Sequence, residues 1–380
     1  MTVTLSCFSL RELVLTAFDE SSQWELINTL TESQLATLAE NPVLLPSFQL
    51  LLANHKSDQV RSGLAENEAI TGKVQYQLAV DKYCNVRQCL AYNSALIRSL
   101  QDLLVNDLSP AVRGALAAFA SLTRKAQYKL AKDASVAVVA NLAGNKCLVE
   151  PLQRLLANHV DESVRLNLAE NLSLTKQMQH QLVSDNVNVR ASLATNESLH
   201  CEYQMTLACE DAPAIRVALA ENEALISPIQ CQLATDPDID VVLALASNGT
   251  LTENMQQALL LKDECVRIAL AENPAISSVI QLILAADPSD KIRSALAIND
   301  ALSETLITQL VDDPNANVRA NLALNSSLPE YIEIKLAQDK SCSVRNSLAF
   351  RGHVCQKAKE LLLDSNDETI RDLFIGMHYE

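Results

Sequence analysis

Arginine recurs at a nearly fixed interval along this chain, and that spacing is the first pattern that could do chemistry. Neighbouring members stand 25 or 26 residues apart, with wider gaps where Val139 or Val242 takes the place of one. The arginines are Arg61, Arg87, Arg113, Arg165, Arg190, Arg216, Arg267, Arg293, Arg319, Arg345 and Arg371. A guanidinium group presents several N–H donors in a planar fork, so a file of them could bind an acidic peptide or a polyanion.

An internal role competes with that anion track. Aspartates share the period, and one stands six residues before several of the arginines, as Asp81 does before Arg87 and Asp313 before Arg319. Such pairs would form a structural ladder and neutralise the guanidinium groups inside the protein. We favour the ladder, although Asp133 is still present six residues before Val139, so the pairing is not strict.

The elements that position these arginines are two short helices in each repeat of about 26 residues. The first helix is predicted from three residues before the arginine position, hereafter the anchor, to five after it, with Val60 and Leu64 on one face. An asparagine six residues after the anchor, such as Asn67, is predicted to end this helix in the left-handed conformation. The second helix is expected to carry apolar residues such as Ile70 and Val74 on its buried face.

Helices of two to three turns cannot bury their apolar faces alone, so the repeats must stack. We therefore predict an all-α protein, a right-handed α-solenoid of about 13–14 two-helix repeats. Residues 1–31 are expected to form an N-terminal helical cap, 32–367 the repeat solenoid and 368–380 a C-terminal capping helix.

A glutamine file follows the same period, fourteen residues after the anchor. Its members are Gln49, Gln75, Gln101, Gln127, Gln153, Gln179, Gln204, Gln230, Gln256 and Gln281. The position lies beside the core stripe, where an unbonded amide would be costly. A hydrogen-bonded ladder is therefore preferred to a binding groove.

The recurring pattern VRxxLAxNxxL resembles the leucine-rich repeat variant proteins of bacteria, over about residues 32 to 375. The resemblance implies a right-handed superhelix of short helices, one class of them either 3₁₀ or α. Some relatives carry an N-terminal cysteine-rich iron–sulfur segment, but only Cys7 precedes Cys84 here, so that cluster is not carried over. The family implies no common catalytic activity.

Composition narrows the classes of function. The formal charge of −16 disfavours nucleic acid as a partner, because the phosphate backbone would be repelled. None of the ten cysteines forms a C-x-x-C pair, so we expect no metal site and free thiols in a reducing cytoplasm. No apolar run approaches a membrane span, and no signal peptide is recognisable. Common catalytic motifs are absent, so we expect neither an enzyme nor a cofactor.

The predicted function is therefore a non-catalytic scaffold that binds a protein or peptide along an extended surface. The residue just after the anchor varies most, and an apolar group there forms the candidate contact row, unless it packs between repeats: Leu166, Val217, Leu243 and Ile268. The alternative is a nucleic-acid-directed protein, which would either bind through an exposed arginine file or mimic DNA with an acidic surface.

Overall fold

In the computed structural model of the chain, the described residues are 29–119, 121–364 and 370. They fall into two compact units, Met1–Ser198 and Leu199–Glu380. Within this described part the chain is helical and contains no β-strand. The predicted all-α class and the repeat solenoid are confirmed in each unit, where helices contact their neighbours in sequence order.

Unit 1 contains thirteen helices whose bounds lie within the described residues. They are α1 (Glu32–Ala39), α2 (Pro46–Leu52), α3 (Asp58–Glu66), α4 (Gly72–Leu78), α5 (Cys84–Tyr92), α6 (Arg98–Leu104), α7 (Pro110–Ala117), α8 (Arg124–Leu130), α9 (Val136–Ala143), α10 (Glu150–Leu156), α11 (Glu162–Ala169), α12 (Lys176–Leu182) and α13 (Val187–Ala194).

Unit 2 likewise contains thirteen helices in its described part. They are α14 (Cys201–Leu207), α15 (Pro213–Ala220), α16 (Ser227–Leu233), α17 (Ile239–Ala246), α18 (Glu253–Leu259), α19 (Glu264–Glu272), α20 (Ser278–Ala285), α21 (Asp290–Ile298), α22 (Glu304–Leu310), α23 (Ala316–Leu324), α24 (Glu330–Ala337), α25 (Cys342–Phe350) and α26 (Gln356–Asp364). Odd-numbered helices are the first helices of the repeats, and even-numbered helices are the second.

The first helices form the tightest contact between repeats. Helix α3 spans Asp58–Glu66, the predicted bounds around Arg61, and its Val60 and Leu64 are fully buried. A side chain at Gly63 would place its Cβ only 2.3 Å from the carbonyl oxygen of Ala36 in α1. The glycine is therefore required by the close approach of neighbouring first helices.

The second helices are α-helical as well, so neither class is 3₁₀. Helix α4 begins after Thr71, whose hydroxyl accepts a hydrogen bond from the amide of Val74. Ile70 is buried in the turn before the helix rather than on it, while Val74 and Leu78 fill the core. The predicted apolar stripe is therefore correct in burial but begins in the turn.

The asparagines end the first helices in a different way from the one predicted. Asn67 has φ −69° and ψ 114°, which is extended backbone and not the left-handed region. Its Oδ1 accepts from the amide of Ala69 at 2.8 Å, and its Nδ2 donates to the carbonyls of Ala39 and Asn41 in the preceding repeat. The left-handed prediction is wrong because the amide side chain itself satisfies the open carbonyls.

The same backward bond from Nδ2 recurs in both units. The asparagines that make it are Asn93, Asn145, Asn171, Asn196, Asn248, Asn273, Asn299 and Asn325.

The glutamine file forms the predicted hydrogen-bonded ladder. Gln75 is buried, its Nε2 donates to the carbonyl of Ala95 at 3.1 Å, and its Oε1 accepts from the amide of Ile97 at 3.0 Å. The side chain therefore satisfies both polar groups of the next repeat's turn. Bonds from Nε2 to the next turn also come from Gln49, Gln101, Gln127, Gln153, Gln179, Gln204, Gln230, Gln256 and Gln281.

The predicted caps lie largely outside the described residues. Of the N-terminal cap 1–31, residues 1–28 lie outside them. Of the C-terminal capping helix 368–380, only Ile370 is described, and it is buried. Arg371 also lies outside them.

Candidate binding surface and the arginine ladder

The anchor arginines are held by carboxylates of the following repeat. Arg61 donates from Nε to Oδ2 of Asp81 at 2.5 Å and from Nη2 to Oδ1 at 3.1 Å, a bidentate pair. Bidentate pairs also join Arg87–Asp107, Arg113–Asp133, Arg165–Asp185, Arg216–Asp236, Arg293–Asp313 and Arg319–Asp339, and Arg267 donates from Nε alone to Asp287. Each such pair is hereafter a rung.

The carboxylate partner is not the one expected from the sequence. Asp81 lies six residues before Arg87, but the guanidinium of Arg87 reaches only its main-chain carbonyl, through Nη1 at 2.5 Å. The carboxylate bound by Arg87 belongs to Asp107, twenty residues later. The repeat is 26 residues long, so an aspartate that lies six residues before one anchor also lies twenty residues after the anchor of the preceding repeat. Both spacings therefore describe the same set of aspartates. The predicted partner was therefore in the correct column but one repeat too early.

Three anchor positions lack arginine, and each also lacks the acid twenty residues later. Leu35, Val139 and Val242 are buried, and the positions opposite them hold His55, His159 and Lys262 respectively. Asp133 persists before Val139 because it belongs to the rung with Arg113. At these three positions the arginine and the acid are lost together, and Asp133 is explained by the spacing of twenty. Arg345 departs from the pattern, because Ser365 stands twenty residues after it.

Electrostatics within the rungs favours the ionised aspartate. At Asp133 the hydrogen bond from Arg113 lowers the pKa against the opposing effect of burial, and the amide of Ser135 lowers it further. At Asp81 burial is the largest influence and acts to raise the pKa, but bonds from Arg61 and the amide of Tyr83 leave it lowered. The pKa is lowered in the same way at Asp107, Asp236 and Asp339.

The guanidinium groups of the eight rungs are therefore paired with carboxylates of the same chain. Arg61, Arg216 and Arg319 are buried, and Arg267 is the most exposed of the rung arginines, with a quarter of its side chain accessible. Arg190 is half-buried at the same position, and Arg345 donates from Nη1 to the carbonyl of Asp339 at 2.7 Å.

The four members of the predicted contact row lie on first helices and are half-exposed. In unit 2, Val217 and Leu243 line one surface depression of about 400 Å³. Acidic side chains of Glu221, Glu223 and Asp240 also line it. Ile268 holds the same position in the next repeat of unit 2, whereas Leu166 belongs to unit 1.

Sequence reasoning missed an exposed apolar row on the first helices of unit 2. Ile298, Leu324 and Phe350 end three consecutive first helices and are 46%, 37% and 67% exposed. This position, five after the anchor, holds glutamate in several other repeats, such as Glu221 and Glu272. The change from glutamate to large apolar residues at this position is the signal in the sequence that indicates the row.

A second missed feature is a coupled change near the end of the described chain. Arg351 replaces the asparagine of its repeat, and Glu333 replaces the glutamine of the preceding one. The two form a buried ion pair, while Arg351 Nη1 still donates to the carbonyl of Asn325 at 2.7 Å and Glu333 still accepts from the amide of Cys355. Each substitution preserves one bond of the residue that it replaces, and the two together add a charge pair.

Metal and membrane sites find no support in the described part of the chain. Its histidine, cysteine and acidic side chains form no group of three or more that could hold a metal ion. None of its helices combines the length and apolarity that a membrane span needs.

The chain is similar to the solved structure of a leucine-rich repeat variant. That structure is described as "a leucine-rich repeat variant with a novel repetitive protein structural motif", and it shares 20% identity at a TM-score of 0.38, covering 58% of this chain and 88% of that one. No family model and no curated protein matches the chain.

Proposed function

We propose that the chain is a non-catalytic repeat scaffold that binds a protein or peptide along the outer face of its first helices. The observation that carries the proposal is the depression of unit 2, where Val217 and Leu243 meet the acidic side chains of Glu221, Glu223 and Asp240. Apolar contact surrounded by charge of one sign is the composition of a polypeptide-binding surface.

The chemistry of this surface selects its ligand. An apolar side chain would enter between Val217 and Leu243, and neighbouring lysine or arginine side chains would meet the acidic rim. The exposed row of Ile298, Leu324 and Phe350 extends the apolar character of unit 2's first helices over three further repeats. We therefore expect the ligand to be a polypeptide segment with apolar and basic residues in alternation.

The nucleic-acid alternative receives less support, because carboxylates of the same protein occupy the guanidinium groups of the rungs. A polyanion would have to displace a bidentate carboxylate to reach an arginine. The described cysteines are free thiols, which is compatible with the reducing cytoplasm that we propose as its location.

A peptide-display selection on the intact chain tests the proposal. We expect selected peptides to pair apolar with basic residues, and their affinity to fall at least about tenfold in the variant V217E/L243E, which places carboxylates in the depression. The matched control is L282E/I283E, which makes the same two changes at exposed positions of the second helix α20 and should leave affinity unchanged.

Two outcomes would contradict the proposal. One is an equal loss of peptide affinity in both variants. The other is tight binding of heparin or duplex DNA that disappears when Arg293 is replaced by alanine, which would support the nucleic-acid alternative instead.

A further inference from the structure

Three consecutive second helices of unit 1 carry a charge opposite to that of the whole chain. The chain has a formal charge of −16, yet α4, α6 and α8, each taken with the two residues after it, contain six basic residues and one acidic residue, Asp102. The six basic residues are all exposed: Lys73, Arg98, Arg124, Lys125, Lys129 and Lys132. In unit 2, α14, α16 and α18 taken in the same way contain two acidic residues and no basic residue. The repeat fold therefore does not require this positive charge.

Four of these cations are free to meet a ligand. Within the described residues, no hydrogen bond or ion pair engages the side chains of Lys73, Arg98, Arg124 and Lys132. Arg98 and Arg124 are the first residues of α6 and α8, where the positive end of the helix dipole repels a cation. These two charges therefore do not stabilise their own helices.

An exposed apolar patch lies beside these cations. It consists of Tyr76, Val80 and Leu103, which are 51%, 69% and 43% exposed. The hydroxyl of Tyr76 lies 2.7 Å from Oγ of Ser99 on α6, and Leu103 follows Ser99 by one helical turn. Tyr76 therefore reaches from α4 to the side of α6 that carries Leu103.

Val80 adjoins Leu103 through the same repeat geometry. These two residues hold the positions that Asn54 and Gln77 hold one repeat earlier. There, Nε2 of Gln77 donates to Oδ1 of Asn54 at 2.9 Å, so side chains at the two positions touch. The apolar patch is therefore continuous across α4 and α6.

Helix α8 borders the apolar patch with positive charge. Leu103 stands in the sequence between Asp102 and Asn106. Asp102 accepts from Nζ of Lys125 at 3.0 Å, and Asn106 accepts from Nζ of Lys129. Helix α8 and the two residues after it carry four basic residues and no acidic one. An apolar contact surface therefore lies directly against a cluster of cations.

We propose that the apolar patch and α8 together form a docking face for an acidic polypeptide segment of a partner protein. Apolar side chains of the segment pack on Tyr76, Val80 and Leu103, and its carboxylates pair with the cations of α8. Complementary charge beside an apolar contact gives such a surface its specificity. The docking face is opposite in charge to the depression of unit 2, so it selects a different ligand and does not depend on that site.

A nucleic acid is the less suitable occupant of this face. Its phosphates would continue past α8 onto a chain whose remaining charge is strongly negative, whereas a short acidic segment ends within the face. Val80 and Leu103 offer no donor to a phosphate, but they can bury apolar side chains of a polypeptide.

The probe is a short fluorescein-labelled peptide of alternating glutamate and leucine, titrated into the full chain while its fluorescence anisotropy is measured. We expect saturable binding that weakens at least about tenfold when salt is raised from about 0.05 M to about 0.5 M, because the charges are exposed. A labelled oligothymidylate should bind more weakly than the peptide. The corresponding lysine–leucine peptide should bind with an affinity that does not depend on the cations of α8.

Charge reversal at two cations without internal partners gives the decisive comparison. R124E/K132E should weaken binding of the acidic peptide at least about tenfold. The matched control K146E/K340E makes the same change in net charge at exposed lysines outside the docking face, and it should leave affinity within about twofold. L103S removes apolar contact without altering charge and should weaken binding at least about threefold. All three variants change exposed side chains, so circular dichroism should show the original helical content.

Three results would overturn the inference. Equal losses of affinity in R124E/K132E and K146E/K340E would show a response to net charge alone. Unchanged affinity in L103S would remove the apolar contact from the face. Oligothymidylate that binds more tightly than the acidic peptide, and is lost in R124E/K132E, would make a nucleic acid the occupant.

Discussion

Two adjoining stretches of unit 1 differ in the residue at the anchor position. From Arg61 to Asp133 three consecutive repeats carry complete rungs, whereas the next repeat has Val139 with His159 opposite it. Neither partner is kept without the other. In this part of unit 1 the arginine and the aspartate are therefore present together or absent together, as expected for an ion pair from which water is largely excluded.

The same comparison separates two tasks of the aspartate. Asp133 binds Arg113 and also accepts from the amide of Ser135 at 2.9 Å. His159 has no guanidinium opposite it, yet its Nδ1 still accepts from the amide of Asp161 at 3.1 Å. The bond that shapes the turn is therefore retained where the charge pair is absent.

Lowering the pH is expected to have the largest effect on the free energy of unfolding of the repeats that contain rungs. The pKa values of Asp81, Asp107, Asp133, Asp236 and Asp339 are lowered on folding, so the unfolded chain takes up protons first as pH falls. The free energy of unfolding should be level above about pH 5 and fall steeply through about pH 4, the ordinary range for aspartate, towards the lower folded values.

Urea unfolding at a series of pH values measures this slope. The variant R113M/D133N removes one rung and should show a shallower decline, by the share of one carboxylate. An unchanged slope would mean that the rungs do not set the acid response.

Breaking one rung should have the next largest effect. Arg319 and Asp339 have side chains only 6% and 11% exposed, so R319A strands a buried carboxylate and should cost about 3–5 kcal/mol in the free energy of unfolding. The control is R154A, because Arg154 and Glu150 are 58% and 54% exposed and their pair is worth about 0–1 kcal/mol. Heparin affinity should stay negligible in both, and a stable R319A with altered heparin binding would refute the ladder.

Introducing a rung into a repeat that lacks one is expected to have the smallest net effect on the free energy of unfolding. V139R or H159D alone introduces an uncompensated charge at a partly buried position and should cost about 1–3 kcal/mol. The double variant V139R/H159D should return to within about 1 kcal/mol of the original protein, which a double-mutant cycle in urea measures. Additive losses would show that position 159 does not face position 139.

Much of the architecture was predictable because the period marks it directly. The bounds of α3 follow from the spacing of Val60 and Leu64, and the glutamine ladder follows from an amide placed beside a core stripe. The period did not predict the direction in which the polar side chains point. The residue type predicts a left-handed backbone at Asn67, whereas its side-chain amide bonds back to carbonyls of the preceding repeat.

The candidate site was predicted less completely than the fold. A single aspartate column satisfies a spacing of both six and twenty, and only the joint loss at Val139 and His159 distinguishes them. The row containing Val217 and Leu243 could be chosen because it varies, but whether it formed a depression depended on neighbouring helices. Phe350 was missed because the position five after the anchor was not compared between repeats.

The polar ladders also bond most of the described repeats to both of their neighbours. Gln75 reaches forward to the turn at Ala95 and Ile97, while Asn93 reaches back to the carbonyls of Ala65 and Asn67. A boundary between folded and unfolded chain would therefore leave buried amides and carbonyls unbonded on both of its sides. Such a boundary has a high free-energy cost at most positions in the described chain, which favours melting of each unit in one cooperative transition over fraying repeat by repeat.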